Sequence, residues 1–453
     1  METDLVFTGP IVTLEQVLHS RTRRAERQQA LLQEGAPCLV SFTLNVPGNI
    51  KQFPLARAAF QEGLGLLRRA FGKSVLKEET IDEPTGSEAL LTVDADPAEI
   101  KKKTVAMEDD HPLGRLFDMD VLDSGGRSLS RTELGAPQRT CLLCGSSAKV
   151  CGRSRAHPLP ELRQAIALRL EDYFKNKYAD TCMTAAWRAM LAEVSATPKP
   201  GLVDRNNSGA HRDMDFFTFV DSAAALAPHF RKMYLAGWDH AWDEPAALFA
   251  RLRALGQQAE ADMFAATHGV NTHKGLIFSM GLLSGALGAR QRRGPAALDS
   301  VLSLCAYMGR CALDDFATAP DTNGKRCYQI YRLPGIRGEA AAGFPSAATV
   351  GLPALRRRTE AGHSLNDASL YALLALLAQV SDTNMIRRGG LAAAEACRQQ
   401  AQTLLDRITP DSLHQELFSL DKTYIRQDLS PGGCADLLAL NLMVFFLFPS
   451  ADA

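Results

Sequence analysis

TPKPGLVDRNNSGAHRDMD, residues 197–215, lies between two segments of helical periodicity and concentrates charged and turn-forming residues. Loops longer than about twelve residues without regular structure are uncommon in compact domains, and those that occur are usually functional or disordered. Lys199 and Arg205 can meet phosphates, while Asp204, His211, Asp213 and Asp215 can hold a hard cation such as Mg²⁺ or move protons. The competing reading is a solvated connection between helices.

On both sides of this stretch the chain reads as helix. Met183, Trp187, Met190, Leu191 and Val194 make one apolar helical stripe that ends at Thr197-Pro198-Lys199-Pro200, and such a stripe reads as core. Further helical patterns cover 221–232, 246–266, 275–290, 297–314, 366–379, 391–408 and 435–448, with Ser364 and Asp367 resembling a helix start and glycine pairs at Gly389 and Gly432 marking turns. Strand-like alternation is almost absent, so an all-α domain is expected. Its polar clusters fall between helices: His273 and Lys274 in NTHKG, Arg337 and Glu339 in GIRGE, Asp382 and Asn384 in SDTN ahead of Arg387 and Arg388, and SPGG at 430–433. Lys274 opens a helix, where its ammonium and the free backbone N–H groups can bind phosphate, although a solvated lysine fits equally well. No GxxxxGK[S/T] loop occurs, so any nucleotide is held by something other than a P-loop.

A chain of 453 residues exceeds the size at which one core keeps growing, so two domains are expected, 1–173 and 174–453. With 46% hydrophobic and 22% charged residues it is an ordinary globular protein, and a formal net charge of -1 argues against a general nucleic-acid binder. The start, METDLVFTGP, is acidic and lacks the pattern of a secretory signal, so a cytoplasmic location is expected. The most apolar run, 435–448, contains Asp436 and Asn441 and falls short of the roughly 20 residues needed to cross a bilayer, so no membrane partner is expected.

The smaller half reads as α+β. After an Arg-rich helix over 18–33, the order is a strand at 38–46, a helix at 53–71, a hairpin of 74–81 and 89–93 about Glu83-Pro84-Thr85-Gly86, a helix at 97–107 and a strand at 116–121. This β-α-β-β-α-β order matches a ferredoxin-like arrangement. Asp118 and Asp120 on the last strand share a face by the period-two rule, which suits a Mg²⁺ bridging phosphates, with Arg115 close by; two solvated acids on an exposed face are the bland alternative. The Asn45-Val46-Pro47-Gly48-Asn49-Ile50-Lys51 turn offers backbone N–H groups and an ammonium for a phosphate, with Asn45 and Lys51 as its polar ends. Cys141, Cys144, Cys151 and His157 have ligand types that suit a Cys₃His zinc site, yet with irregular spacing and Arg139, Arg153 and Arg155 nearby, reduced thiols without metal are favoured.

NVPGNIK, HPLGRLFDMDV and CLLCGSSAKVCGRSRAH, in this order over about 10–165, resemble the citrate lyase holo-acyl-carrier-protein synthase family. The resemblance implies that a serine of the apo acyl-carrier subunit attacks the α-phosphate of a triphosphoribosyl group and expels pyrophosphate, with Asp118 and Asp120 as metal candidates. TPKPGLVDRNNSGAHRDMD, NTHKG, GIRGEAAAGFP, SDTN and SPGGCADLLA, over about 180–453, are similar to triphosphoribosyl-dephospho-CoA synthase, which implies ATP and 3'-dephospho-CoA as substrates and adenine as leaving group. By position in those motifs, Asp204, Asp213 and Asp215 fall to metal or base roles, Lys199, Arg205, Lys274 and Arg337 to phosphates, Asp382 and Asn384 to substrate, and His211, His273 and Glu339 to catalysis. The two families often occur as separate chains, so fusion reads as a departure. An alternative reading serves malonate decarboxylase, with the first half acting only as a carrier-docking module.

Overall fold

The computed structural model describes residues 6–313 and 323–449. Asp314, where the sequence ends one helix, and the first five residues of METDLVFTGP lie outside that range. The chain divides into two compact units, Met1–Phe174 and Lys175–Ala453. No helix among the described residues is long and apolar enough to cross a membrane.

In the first unit, α1 (Leu14–Gln33) starts four residues ahead of its sequence reading, because Thr13 and Gln16 close a capping box that satisfies the first backbone donors. There follow β1 (Cys38–Leu44), α2 (Pro54–Phe71), β2 (Val75–Glu83), β3 (Gly86–Val93), α3 (Pro97–Asp110) and β4 (Phe117–Asp123). The strands form one sheet in the order β2-β3-β1-β4, antiparallel at every pairing. Cys38, Val40 and Phe42 of β1, with Phe117, Met119 and Val121 of β4, build the buried face. There Phe42 stacks on Phe60 of α2 at 4.9 Å and meets Phe117 edge-on at 5.6 Å. One end of the other face is covered by Leu31 and Leu32 of α1 packing on Leu39, Leu90 and Leu122.

Strand β4 is a sheet edge, and unpaired backbone groups on an edge invite other strands. Two buried side chains of α3 close it: Glu108 accepts the Met119 N–H at 2.9 Å and Lys101 donates to the Met119 carbonyl at 3.0 Å. The rest of the unit is α4 (Ala148–Ser154) and the start of α5 (Leu159–Ser195), a helix that continues through position 173.

The second unit is helical: α6 (Phe216–Asp239), α7 (Pro245–Ala266), α8 (Lys274–Arg293), α9 (Leu298–Leu313), α10 (Asn323–Tyr331), α11 (Gly335–Ala341), α12 (Leu352–Glu360), α13 (Leu365–Gln379), α14 (Thr383–Arg407), α15 (Leu413–Arg426) and α16 (Gly432–Leu447). The apolar stripe expected on α5 is rotated. Cys182, Ala185, Ala186, Ala189, Met190 and Val194 are buried, whereas Trp187 stays 45% exposed, because small side chains let neighbouring helices approach closely. The glycine pair at Gly389 marks a turn as expected: within α14 the backbone leaves helical geometry at Gly390, where two helices meet in a kink and the φ of 80° is one that only glycine adopts readily.

Helices α6 and α8 cross at glycines. A Cβ on Gly237 would fall 1.9 Å from the Gly285 carbonyl oxygen, and one on Gly288 would fall 2.1 Å from that of Tyr234. Gly237→Ala is therefore expected to lower stability by about 1–3 kcal/mol, the usual cost of overpacking. At Gly256 of α7 the nearest atom to an added Cβ lies 4.0 Å away, so Gly256→Ala is expected to raise the urea midpoint through helix propensity. Midpoints that move in the same direction for both variants would contradict this packing argument.

Candidate active sites

In the second unit the breaks between helices converge on one cavity of about 1030 Å³. Its lining draws on all five polar stretches: Lys199, His211 and Asp213; His273 and Lys274; Arg337 and Glu339; Asp382, Asn384, Arg387 and Arg388; and Ser430 with Gly432 and Gly433. Glu193 and Asp436, which the sequence reading passed over, line it as well.

Several of these side chains are tied into the fold. Lys199 is 1% exposed and its ammonium is paired with the buried Glu193 carboxylate. Burial is the main cause that pushes Glu193 above the usual carboxylate range, with the Lys199 charge opposing it. Asp204 lies outside the cavity lining, buried at 2%, and its oxygens accept backbone N–H groups of Lys199 at 2.9 Å, Asn206 at 2.7 Å and Asn207 at 3.0 Å. Its work is to fold the loop, the role favoured by carboxylates in Asx turns. Asp421 of α15 assists by accepting from Gly201 N at 2.9 Å and Asn207 Nδ2 at 2.9 Å. Arg205 turns away to Thr197 and Asn366, and Asp215 caps α6 by accepting the Thr218 N–H at 2.9 Å. Neither residue lines the cavity.

Asp382 splices two motifs. One oxygen accepts Asn384 N at 2.8 Å and Met385 N at 3.2 Å, and the other accepts Cys434 N at 2.8 Å. Glu339 takes the Ser346 hydroxyl at 2.6 Å and its N–H at 3.1 Å. Lys274 pairs with Glu260 at 2.7 Å. Arg388 donates to His211 Nδ1 at 3.3 Å, so in the neutral ring the proton sits on Nε2, which donates to Ser430 Oγ at 2.9 Å. Burial and the Arg388 charge push His211 below its ordinary value.

His273 is 2% exposed, with Nδ1 2.7 Å from Ser222 Oγ, while its Nε2 is buried without a protein partner. Burial first, then the Lys199 charge, lowers its pKa to about 3. Asp436 is pushed well above the carboxylate range by burial and by the charges of Glu193 and Asp382. It lies so near the start of α8 that a Cβ on Gly275 would come within 2.2 Å of Oδ2.

In the first unit, Asp118 and Asp120 stand on the face of β4 opposite the core, across from Thr43 and Ser41 of β1. Arg139 Nη1 lies 3.5 Å from Asp118 Oδ1 and 3.9 Å from the buried Glu108. Asp120 keeps an exposed side chain, yet the protein around it desolvates it in part, and with the Asp118 charge this raises its pKa. Arg24 of α1 opposes that rise. Arg115 donates to the Thr140 carbonyl and Lys51 to the Val46 carbonyl, so both cations brace loops. Asn45 is exposed and joins the start of β4 through its N–H to the Leu116 carbonyl at 2.7 Å. The Cys141, Cys144, Cys151 and His157 ligand atoms gather within 4.8 Å of one another.

Comparison with known proteins divides the chain in the same order. A family described as ATP:dephospho-CoA triphosphoribosyl transferase, CitG, matches residues 179–451. A family described as apo-citrate lyase phosphoribosyl-dephospho-CoA transferase, CitX, matches residues 12–173. Protein CitXG of Leuconostoc mesenteroides subsp. cremoris is 35% identical over 96% of this chain and 97% of its own length. Protein CitXG of Haemophilus influenzae is 36% identical over 97% of each. A Vibrio cholerae protein named "Probable 2-(5''-triphosphoribosyl)-3'-dephosphocoenzyme-A synthase" is 42% identical over 58% of this chain and 86% of its own. The fusion that reads from sequence as a departure is therefore shared by whole-length relatives.

A neutral buried His273 has a pH consequence. Its pKa is about 3 folded and about 6.5 unfolded, so the unfolded chain binds the extra proton between those values. The stability it contributes is complete above pH 6.5 or so and is lost as pH falls below it, at about 1.4 kcal/mol per pH unit. His273→Gln is expected to lose about 2 kcal/mol less than the parent between pH 7 and pH 5 in urea unfolding. Equal losses in the two proteins would refute the buried neutral ring.

Proposed function

The chain belongs to the CitXG family, and we propose that it matures citrate lyase through two successive transfers, one in each unit. The second unit makes 2'-(5''-triphosphoribosyl)-3'-dephospho-CoA from ATP and 3'-dephospho-CoA with release of adenine. The first unit transfers the phosphoribosyl-dephospho-CoA group to a serine of the apo acyl-carrier subunit with release of pyrophosphate. The observation that carries this reading is the single cavity of about 1030 Å³ in which all five motifs meet. That volume lies at the upper end of small-molecule sites, as a site for two nucleotides requires. The citrate lyase description of the family matching residues 12–173 speaks against a malonate decarboxylase protein with a passive docking module.

In the second unit the reaction breaks the bond between adenine and the ribose of ATP and joins that carbon to the 2'-oxygen of dephospho-CoA. One proton leaves the hydroxyl and one arrives on adenine. Asp436, a carboxyl held well above its ordinary range, is our choice for moving a proton, and His273 Nε2, buried and neutral, for orienting a substrate hydroxyl. Glu193 keeps the Lys199 ammonium in place. Lys274, Arg337, Arg387 and Arg388 line the cavity and supply charge for the retained triphosphate.

Mg²⁺ neutralises phosphate charge when bound, and hard carboxylate oxygens suit it. Asp213, with 66% of its side chain exposed at the cavity, and the side-by-side Asp118 and Asp120 of β4 fit that donor chemistry. Asp204 and Asp215 fit it less well, since their oxygens already accept backbone N–H groups. Strand order β2-β3-β1-β4 with two crossover helices supports reading the first unit as ferredoxin-like, and we place the functional boundary at 173/174. With these substrates, the cytoplasm is the location we infer.

The test is the purified chain with ATP, dephospho-CoA, Mg²⁺ and apo acyl-carrier subunit, following adenine, pyrophosphate and carrier mass together. Asp436→Asn is expected to slow adenine release about 10²-fold or more while sparing carrier labelling from preformed triphosphoribosyl-dephospho-CoA. Asp118→Asn and Asp120→Asn are expected to do the reverse. Normal labelling by both aspartate variants would remove the first site, and parent-rate adenine release by folded Asp436→Asn would remove the second.

A further inference from the structure

We propose that Cys141, Cys144, Cys151 and His157 bind one structural zinc ion that organises the segment between β4 and α5. The four ligand atoms lie within 4.8 Å of one another, with Cys144 Sγ 3.5 Å from Cys151 Sγ and 3.3 Å from His157 Nε2. Tetrahedral zinc with Zn–S near 2.3 Å and Zn–N near 2.1 Å sets ligand separations of about 3.8 Å between sulfurs and about 3.6 Å between sulfur and nitrogen. A disulfide would require about 2.0 Å, and all three cysteines are free thiols.

The backbone is shaped for the same purpose. Thr140 and Ser147 form a β-bridge, Cys141 N donates to Ser146 O at 2.7 Å, and Ala148 N donates to Arg139 O at 2.8 Å. This tight hairpin puts the Cys141-x-x-Cys144 pair at its tip. Cys151 is presented by α4, and left-handed Arg155, at φ 49°, turns the chain so that His157 comes back to the cysteines. Three thiolates and an imidazole in a tetrahedron suit zinc better than oxygen-seeking cations.

A second observation shows why a metal is needed. Apart from the Cys151 thiol at the cluster itself, no residue from 131 to 160 is buried, yet the segment forms a bridged hairpin and a helix. Some 30 residues without a core of their own cannot be ordered by apolar burial, and metals commonly replace a core at that size. The segment is fastened where it matters. Arg139, next to the hairpin bridge, donates to the Phe117 carbonyl at 2.6 Å and reaches Asp118 at 3.5 Å. Arg115 donates to the Thr140 carbonyl in return. The ion would thus act as a positioning element for Arg139 beside the strand aspartates, with no part in bond making.

The test needs neither transfer reaction. The reduced full chain, purified from zinc-supplemented cells, is expected to carry about one zinc per chain by mass spectrometry of metals. Stepwise modification of its thiols with a mercurial should release that zinc into a chromogenic chelator. Cys144→Ser and His157→Asn should each lower occupancy about tenfold or more and expose the bonds after Arg139, Lys149, Arg153 and Arg155 to trypsin. Parent protein with under about a tenth of a zinc per chain, whose thiols added zinc does not protect from modification, overturns the proposal. So does a Cys144–Cys151 disulfide in protein isolated without oxidant. Because metal content is read directly, this outcome is separable from failure of the transfer assays.

Discussion

A helical domain that gathers irregular loops at one cavity strands the backbone N–H groups of those loops, and each must find an acceptor. Buried carboxylates meet this constraint in the second unit. Asp204 folds the 197–215 loop on itself, Asp421 fixes that loop to α15, and Asp382 joins the start of α14 to the start of α16. Asp204 and Asp382, which look reactive in sequence, thus hold backbone together with Asp421, which does not. Their burial is tolerated because every one of them accepts charge-assisted hydrogen bonds, which offset part of the desolvation cost. With the loops held in this way, Asp436 and His273 can be kept in protonation states that water would not allow.

The first unit meets a related constraint differently. Its edge strand β4 carries the two aspartates on one face and the apolar core on the other, while Glu108 and Lys101 close its outward backbone groups at Met119. Glu108 is pushed up chiefly by burial, against the pull of Arg139. The same arginine reaches Asp118, so the core and the candidate site share one guanidinium.

Much of the architecture is legible from residues alone, since hydrophobic period and turn chemistry act locally. The strand and helix order of the first unit and the helical second unit follow from such signals. Side-chain partners do not. Glu193 and Asp421 look like ordinary polar residues of helices, and Asp436 looks like an interruption of an apolar run, because what buries each lies far away in sequence. Trp187 misleads for the opposite reason: its bulk suggests core, while alanines beside it make the close approach. Loop motifs locate the cavity, but which of their acids bond to backbone and which face the cavity depends on tertiary geometry that no spacing encodes. The cysteine segment is a middle case, with ligand types readable and their convergence hidden by uneven spacing.

The Asp382 splice also bears on how such a chain can change over time. Its second oxygen reaches Cys434 N across 52 positions, and a Cβ on Gly433 would sit 3.0 Å from that oxygen. A larger residue at 433 is tolerable only if the acid at 382 shifts, and loss of that acid strands a buried donor at 434. Positions 382 and 433 thus form a single heritable character, each blocked from drifting until the other moves, whereas 434 takes part through its backbone N–H alone and is closed only to proline.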